Sequence, residues 1–364
     1  GLACAFYLRR AGADVTVLER ARIGAGASSG NAGCIAAGHP PLYRPGRVRQ
    51  AVSAMLDATS PLYVKPRWDP ALWRWLLGFA RYCTDAHVEH CMRTMGPLGK
   101  ETLRLFDELI EEERIECHYR VEGCYEVCST EKGIAGARHE AEIIRGFDYA
   151  AVELNGDELR RREPALAHDV LGGVFFPEAA SLDPGLFLAK LRAVVERQGV
   201  DVREGVGVRE VLEQSGRATG VRTVDGTAIE ADAVVLATGP FSLAVTRRFG
   251  LRIPVQPGKG YHRDIDVGPN GAPPLRIACV LNETSVFCTP MDTFVRFAGT
   301  MEFSGENDIM RPPRLAQLTR AARAAFPDLG TARPISQWCG LRPVSMDGLP
   351  VVGQVPGVDG LQVA

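Results

Sequence analysis

The spacing of apolar residues changes from helical to strand-like within residues 1–19. Apolar side chains recur three and four residues apart over 2–8, which predicts a helix that ends at Ala11-Gly12. The run 14–18 that follows is typical of a strand buried in a parallel sheet, and it is followed by Glu19. In βαβ units that bind dinucleotides, the helix N-terminus receives the pyrophosphate and the acid after the second strand binds a ribose hydroxyl. The spacing from Gly1 to Glu19 fits this use.

The sequence begins inside this unit. A complete dinucleotide-binding fingerprint has an apolar strand and two more glycines before the helix. The chain instead starts with Gly1 at the position of the third glycine, and it has no initiator Met. We therefore expect a fragment that lacks the first strand of the unit. An ordinary α/β unit with a surface acid at Glu19 is the alternative interpretation.

A loop of small residues follows over 20–33. Its Gly, Ala and Ser residues let backbone N–H groups approach an anion or a flat ring closely, because few side chains stand in the way. A flexible surface linker is the alternative. Linkers of this length are usually more charged and less closely flanked by regular elements, so we favour contact with a ligand.

Helices with apolar stripes are predicted over 70–113. One helix face in this region carries Cys83, His87, His90 and Cys91. A zinc site built on one helix needs a further ligand from elsewhere and fixed hydrogen-bonding partners, and the sequence indicates neither. We expect no bound metal and interpret these residues as a partly buried helix face.

The second informative segment lies at 231–240, where an apolar run closes on Ala-Thr-Gly-Pro. This pattern predicts a buried parallel strand that enters a tight glycine turn. Ligands bind at this carboxyl edge of open α/β sheets, although a plain buried strand with a turn is as compatible with the segment alone. Short alternating strands over 252–303 then predict an antiparallel sheet as a second layer.

Composition and charge exclude several classes of function. The 364 residues are enough for two domains, and 46% hydrophobic and 24% charged residues are typical of a globular α/β protein. The net charge of −2 provides no basic field that would attract nucleic acid. No apolar run approaches the roughly 20 residues of a membrane span. The ten cysteines form no disulfide framework or CxxC pair, so we expect reduced thiols in the cytoplasm.

Four segments of the chain occur in the same order in one known family and span nearly the whole sequence. They are 1–19, 28–33, 231–240, and 338–343 together with 347–350. In this combination the chain resembles the FAD-dependent D-amino acid oxidase superfamily, which includes glycine and sarcosine oxidases. The resemblance is closest to its D-amino acid dehydrogenase branch, which has a Lys-Gly-Tyr segment similar to residues 257–261.

The resemblance implies an α/β fold with two domains. One would be a Rossmann-like, doubly wound FAD-binding domain that lacks its first strand, and the other an α+β substrate domain built on an antiparallel sheet. The FAD-binding domain would be discontinuous over 1–44, 148–240 and 330–364, and the substrate domain would span 45–147 and 241–329. The family's C-terminal flavin-contacting loop is also absent from the sequence, so we expect part of the FAD site to be missing.

The resemblance also implies which residues contact FAD. Glu19 would hold the adenosine ribose, and Val208 would contact adenine through its backbone. The small-residue loop would approach the pyrophosphate and the flavin. The complete expected set is Gly1, Glu19, Arg20, Ser28, Ser29, Asn31, Ala32, Gly33, Val208, Ala237, Thr238, Gly239 and Gly340.

Two residues are expected at the reaction centre. Arg342 is the position at which this family places a guanidinium for the substrate carboxylate. A planar fork of N–H donors suits a carboxylate and holds the α-carbon against the flavin. A structural ion pair is the alternative role for Arg342. Tyr261 is the second candidate, although a tyrosine in a strand is more often a packing residue.

The reaction implied by the resemblance is FAD-dependent oxidation of a D-amino acid to the imino acid by hydride transfer to flavin, followed by hydrolysis to a 2-oxo acid and ammonia. The partners would be the amino acid and an electron acceptor, which is a quinone, another carrier or oxygen. A peripheral membrane contact on the cytoplasmic side is a further expectation. Two alternatives stay open: a glycine or sarcosine oxidase or hydroxyproline-type amine dehydrogenase, and a non-catalytic flavin-fold subunit.

Overall fold

The computed structural model describes residues 1–39, 45, 46, 48, 52, 60–251, 253–266, 275–329 and 332–364. Within these ranges the strands form one large sheet and several small ones. A helix that the sequence also predicts over 47–56 falls on a stretch of which only residues 48 and 52 are described.

Helix starts follow capping residues in the sequence. Asp69 and Asp183 each accept backbone N–H bonds in the first turn of a helix, and a proline follows each cap where it has no hydrogen bond to lose. The described helices are α1 (Leu2–Arg10), α2 (Pro70–Tyr82), α3 (Asp85–Glu113), α4 (Glu131–Arg145), α5 (Gly156–Arg162), α6 (Pro184–Arg197), α7 (Ser242–Thr246) and α8 (Pro312–Ala325).

Three strands after residue 250 are 10 or 12 residues long, and the other described strands have seven residues or fewer. The described strands before residue 250 are β1 (Thr16–Glu19), β2 (Cys34–Ala36), β3 (Leu62–Val64), β4 (Cys124–Cys128), β5 (Val152–Asn155), β6 (Gly172–Phe176), β7 (Ala179–Ser181), β8 (Asp201–Glu204), β9 (Val208–Gln214), β10 (Arg217–Thr223), β11 (Ala228–Glu230) and β12 (Val234–Leu236). The remaining described strands are β13 (Val255–Asp266), β14 (Cys279–Leu281), β15 (Val286–Pro290), β16 (Phe294–Phe303), β17 (Pro334–Ser345), β18 (Gly353–Gln354) and β19 (Leu361–Val363).

Parallel pairs characterise the region that begins with α1. β1 pairs with β8, and β12 pairs with β19, both in parallel. Helices α1 and α6 pack together through a core that includes Phe6, Leu191 and Val195. The mixed α/β architecture confirms the predicted fold class.

The large sheet has the order β17-β13-β16-β15-β14-β4-β6-β5 among the described strands, and β3 also pairs with β16. Most neighbouring strands are antiparallel, as the alternating pattern predicts; β14–β4 and β16–β3 are parallel. Helix α8 covers one face, where Leu315 and Leu318 join Phe297 and Ile265 in a buried core. The sheet therefore has a face that is packed and a face that is left for other contacts.

Three strands of the large sheet come from segments expected in the FAD-binding domain. β5 and β6 lie within 148–240, and β17 lies within 330–364. β17 pairs with β13 along nearly its whole length, from Val255 opposite Ser345 to Ile265 opposite Pro334. The division into two domains at the expected boundaries stays a prediction.

Candidate functional site

The N-terminus of α1 lies beside the turn that follows β12. A Cβ built on Gly1 would lie 4.0 Å from the Cβ of Ala237. In the turn, the hydroxyls of Thr238 and Ser242 are 2.8 Å apart, and Gly239 adopts a positive φ of 55° that favours glycine. Two segments more than 230 residues apart in the sequence thus meet where a parallel pair ends. Helix N-termini of this kind attract anions.

The expected ribose and adenine contacts lie at the end of β1. The Glu19 side chain accepts a hydrogen bond of 2.9 Å from the N–H of Ala21. The Arg20 guanidinium lies 4.1 Å from the ring centroid of Phe241, in the segment after β12. A Cβ at Gly207, next to Val208, would lie 3.8 Å from the Cβ of Arg20. Arg20, Val208 and the post-β12 segment are therefore neighbours.

Hydrogen bonds from its own side chains shape the small-residue loop. The Ser29 hydroxyl donates to the carbonyl of Gly24 at 2.6 Å. The Asn31 amide donates to the carbonyl of Ser28 at 2.6 Å and accepts from the N–H of Gly33 at 2.7 Å. Gly33 has a φ of 72°, and a Cβ there would overlap the carbonyl of Leu182. These hydrogen bonds hold the loop in a defined turn, which disfavours a flexible linker.

Arg342 lies on the face of β13 and β17 that is opposite α8. Its side chain crosses Gly260 of β13, where a Cβ would come within 2.5 Å of Nη2. Nη2 donates to the carbonyl of Thr300 at 2.6 Å. The residues of this face alternate along both strands, and we call it the cofactor face: Gly260 and His262 on β13, and Trp338, Gly340 and Arg342 on β17.

The small-residue loop contacts the cofactor face directly. His262 Nδ1 lies 2.7 Å from the carbonyl of Gly30, and the His262 ring stacks on Trp338 with centroids 5.3 Å apart and planes 17° apart. A Cβ at Gly30 or at Gly340 would overlap the Trp338 ring. The structure therefore brings Arg342 and Gly340 to the same side of the sheet as the loop 28–33.

Tyr261 does not join this group. It is 1% exposed, and its hydroxyl donates to Glu302 at 2.9 Å on the opposite side of the sheet. The same carboxylate lies 3.0 Å from Arg311 Nε and 3.7 Å from Lys259 Nζ. Burial, and then the Glu302 hydrogen bond and charge, raise the pKa of the Tyr261 phenol. We call this side, formed by Lys259, Tyr261, Cys339 and Glu302, the packed face.

His262 and Trp338 were not predicted as site residues from the sequence, and both lie on the cofactor face. Trp338 lies four positions before Arg342 on a strand, so the period-two alternation alone places both side chains on one face. His262 becomes a neighbour only through the register in which it faces Trp338. Burial, and then the charge of Arg296, lower the pKa of His262, which favours the neutral imidazole.

The predicted helix face with cysteines and histidines is divided between two helices, because Cys83 is the C-cap of α2 whereas His87, His90 and Cys91 lie on α3. His87 Nε2 lies 2.7 Å from the carbonyl of Asp347, and Cys91 Sγ lies 3.3 Å from His87 Nε2. Burial raises the pKa of the Cys91 thiol to about 11, which opposes a metal-binding thiolate. Across the described ranges there is no group of three or more His, Cys, Asp or Glu arranged to hold a metal ion.

The chain is similar over nearly its whole length to one family model and to individual proteins. The family model "FAD dependent oxidoreductase" matches residues 1–364. The D-amino acid dehydrogenase of Methylobacterium nodulans is 35% identical over 360 residues, which cover 97% of this chain and 85% of that protein. The D-amino acid dehydrogenase of Vibrio vulnificus strain CMCP6 is 29% identical over 362 residues, or 98% of this chain and 86% of that protein.

Solved structures with the same fold are more distant in sequence. Glycine oxidase from Geobacillus kaustophilus has a TM-score of 0.77 at 22% identity and covers 100% of this chain and 85% of its own. L-proline dehydrogenase from P. horikoshii has a TM-score of 0.71 at 16% identity, with 100% and 84% coverage. At these identities the likeness shows the fold alone.

Proposed function

The chain belongs to the family of FAD-dependent oxidoreductases, and on this premise we propose that it oxidises D-amino acids to imino acids. The products released after hydrolysis of the imino acid would be a 2-oxo acid and ammonia. The substrate class rests on the two relatives described above, which are D-amino acid dehydrogenases at 35% and 29% identity. FAD is the cofactor, and when bound it accepts the electron pair of the substrate's α C–H bond.

The residues present fit FAD. The α1 N-terminus beside Ala237 provides backbone N–H groups for a pyrophosphate, and Glu19 lies at the end of the next strand, where a ribose would bind. The turn at Gly33 has no room for a side chain, because a Cβ there would overlap the carbonyl of Leu182, so this part of the loop packs directly on the rest of the chain. We propose the expected set from Gly1 to Gly340 as the cofactor contacts.

The substrate assignment rests on the surroundings of Arg342. Among the described residues its guanidinium donates to one acceptor, the Thr300 carbonyl, and it pairs with no carboxylate. Arg342 as a residue keeps access to solvent, while burial of its guanidinium among protein atoms lowers its pKa, and the side chain lies on the cofactor face with the loop 28–33. An unpaired guanidinium suits a bidentate bond to a substrate carboxylate, which would hold the α-carbon in a fixed orientation.

The test is reduction of the bound flavin under anaerobic conditions. We expect D-alanine and other D-amino acids to bleach the flavin absorbance faster than glycine, sarcosine or cis-4-hydroxy-D-proline. Arg342→Ala should lower the second-order reduction rate by about 100- to 1000-fold, since a charge-assisted bidentate pair is lost, while the FAD content stays unchanged. Arg342→Lys should recover part of the rate.

Two results would contradict this assignment. A preference for sarcosine or another secondary amine would move the activity to the amine oxidases of the same fold. A flavin that no amine reduces would remove the catalytic proposal and leave a flavin-binding subunit.

The electrons then pass to an external acceptor, for which we propose a carrier at a membrane surface. An exposed apolar patch supports a peripheral contact: Trp68 is 90% exposed, Leu77 66% and Trp73 49%. Arg74 and Arg81 line the same groove, and α2 contains no acidic residue, which favours an anionic lipid surface. None of the described helices is both long and apolar enough to cross a bilayer.

Vesicle flotation tests the membrane contact. The protein should float with vesicles that contain phosphatidylglycerol, and the double variant Trp68→Ser/Leu77→Ser should stay in the unbound fraction. Val224→Ser is the control, since Val224 is 69% exposed on a different part of the surface. Wild-type protein that does not float would remove this proposal without affecting the oxidation chemistry.

A cytoplasmic location is part of the same proposal. All ten cysteines are described, and all are free thiols. Cys279 and Cys288 remain unlinked although they face each other across β14 and β15. This is the state expected in a reducing compartment.

A further inference from the structure

Three successive carbonyl groups of the small-residue loop are bound by side chains of the large sheet. Arg296 Nη1 donates to the carbonyls of Ser29 at 3.3 Å and Asn31 at 3.2 Å. Between them, the carbonyl of Gly30 lies 2.7 Å from His262 Nδ1. A carbonyl can only accept, so this nitrogen carries the proton. The loop is therefore tied to the sheet at three consecutive peptide units.

The side chains that make these bonds are themselves fixed. Arg296 on β16 and Asp264 on β13 face each other in register and form a bidentate ion pair, with Nε–Oδ1 at 2.9 Å and Nη2–Oδ2 at 3.0 Å. Ser336 on β17 donates a further bond of 2.7 Å to Asp264 Oδ2. Arg296, Asp264 and His262 are 7%, 4% and 5% exposed. Their buried positions and several partners leave them little rotational freedom.

The orientation of these carbonyls determines where the loop N–H groups point. In a planar trans peptide the C=O and the N–H point in opposite directions. The carbonyls of residues 29–31 face the sheet, so the N–H groups of Gly30, Asn31 and Ala32 point away from it. Within the described part of the chain, these three N–H groups donate no hydrogen bond of normal length and angle. Consecutive N–H groups without acceptors form a binding site for an electronegative oxygen.

We propose that His262, Asp264 and Arg296, which we call the loop clamp, are positioning residues for FAD. The clamp holds the carbonyls of residues 29–31 so that the N–H groups of residues 30–32 receive a phosphate or carbonyl oxygen of the cofactor. This inference rests on FAD as the cofactor and is independent of which amino acid is oxidised. It assigns a role in cofactor binding to three residues of the sheet that carries Arg342.

The close contact at Gly30 supports the proposal. A Cβ at this residue would overlap the Trp338 ring, so the loop backbone lies directly on the cofactor face with no side chain between them. Because the loop backbone lies so close to the sheet, the Arg296 guanidinium can reach two loop carbonyls while it also pairs with Asp264 through two nitrogens. A lysine ammonium at the same position could not form this two-pronged pair with Asp264 and bind the carbonyls as well. The clamp therefore requires arginine in particular.

The test measures FAD affinity of the protein after the cofactor has been removed and titrated back. Arg296→Lys keeps the positive charge beside Asp264 but loses the fork, and His262→Phe keeps the stack on Trp338 but loses the Nδ1 donor. Each variant should raise the dissociation constant for FAD by about tenfold or more. The change in flavin fluorescence during the titration measures this constant. The visible circular dichroism of bound flavin should change as well, because its surroundings are reoriented.

Arg263→Lys is the matched control. Arg263 lies next to His262 on β13 but points to α8, where it donates to the Thr319 hydroxyl at 2.7 Å. This variant should bind FAD with the wild-type constant. If Arg296→Lys does not fold, His262→Phe decides the result alone.

Two outcomes would overturn the proposal. Wild-type FAD affinity in a folded Arg296→Lys or His262→Phe protein would show that the loop does not need the clamp. A lower melting temperature of the cofactor-free protein with an unchanged dissociation constant would assign these residues to folding only. Neither outcome depends on turnover of a D-amino acid, so failure of the substrate assignment is distinguished from failure of the clamp.

Discussion

The two faces of the β13–β17 pair use charged and polar residues in different ways. On the packed face, Glu302 has Tyr261, Arg311 and Lys259 around it, and its carboxylate is fully buried. On the cofactor face, Arg342 is exposed and has no carboxylate partner among the described residues. The packed face satisfies its charges internally, whereas the cofactor face leaves one guanidinium without a counter-charge among the described residues. Tyr261 and Arg342 both lie in motifs that pointed to the reaction centre, but Tyr261 is bound to a buried carboxylate and only Arg342 is left without one among the described residues.

Removing the Glu302 carboxylate should destabilise the packed face more than any other change considered. Glu302→Ala leaves Lys259 and Arg311 near each other without their shared anion, and Lys259 is 0% exposed. Loss of one partner in such a buried group should lower the free energy of unfolding by about 3 to 5 kcal/mol. Urea denaturation measures this value. A change below about 1 kcal/mol would show that the charges on this face are not mutually dependent.

A methyl group at Gly260 should affect the cofactor face with little effect on folding. Gly260→Ala places a Cβ against the Arg342 guanidinium, which must move away from the Thr300 carbonyl. We expect kcat/KM for the amino acid to fall by about 10- to 100-fold, because a small misplacement of a binding group is costly. Steady-state kinetics with D-alanine measures it.

Gly136→Ala is the control for this substitution. Gly136 lies in α4, where an added methyl group would have nothing within 4 Å, so the change should leave kcat/KM unaltered. Unchanged kinetics in Gly260→Ala would mean that Arg342 does not bind substrate from its observed position.

Tyr261→Phe should change the stability of the packed face without changing the activity that depends on the cofactor face. The variant removes one hydrogen bond to Glu302 and should lower the free energy of unfolding by about 1 to 2 kcal/mol. Its kcat/KM should stay within about twofold of wild type, because Tyr261 lies on the packed face and not beside Arg342. A twofold change corresponds to less than about 0.5 kcal/mol in the activation free energy. Thermal unfolding and steady-state kinetics on the same preparation provide both values. A large loss of kcat at unchanged stability would return Tyr261 to the reaction centre.

The smallest expected effect is a pH dependence of stability from His262. Burial, and then the Arg296 charge, hold its pKa below the ordinary value of 6.5 in the folded protein. Below that pH the unfolded chain binds a proton that the folded chain resists, so stability falls as the pH decreases. One such group contributes a slope of at most about 1.4 kcal/mol per pH unit. His262→Gln should flatten the unfolding free energy between pH 7 and 5.

Other groups near His262 titrate in a different range. Burial opposes ionisation of Asp264, but the hydrogen bond and charge of Arg296 outweigh it and keep the Asp264 pKa below 3.8. The contribution of Asp264 is therefore lost only at lower pH. An identical slope in wild type and His262→Gln would assign the pH dependence between 7 and 5 to other residues.

Much of the fold followed from local patterns. The helix at 2–10, the strand that ends at Glu19 and the apolar strand before Ala237 occur where the sequence predicts them. β1 begins at Thr16 rather than at residue 14 and is not buried, because β8 is its one neighbour among the described strands. The family assignment and FAD also followed, because four motifs in fixed order are specific as a set. Tyr261 was less predictable, since its motif says nothing about the side of the sheet to which the ring points.

The motifs and the apolar pattern of the sequence were enough to establish the α/β class and the family, because both are properties of short segments. No strand was predicted over 334–345, so the placement of Trp338, Gly340 and Arg342 on one face became evident only from the structure. The contact between this face and the loop 28–33, and the bonds from His262 and Arg296 to the loop carbonyls, arise only in the folded chain. These contacts join residues more than 230 positions apart. They depend on strand register and packing, which are set by burial of the whole sheet and are not encoded in any one segment.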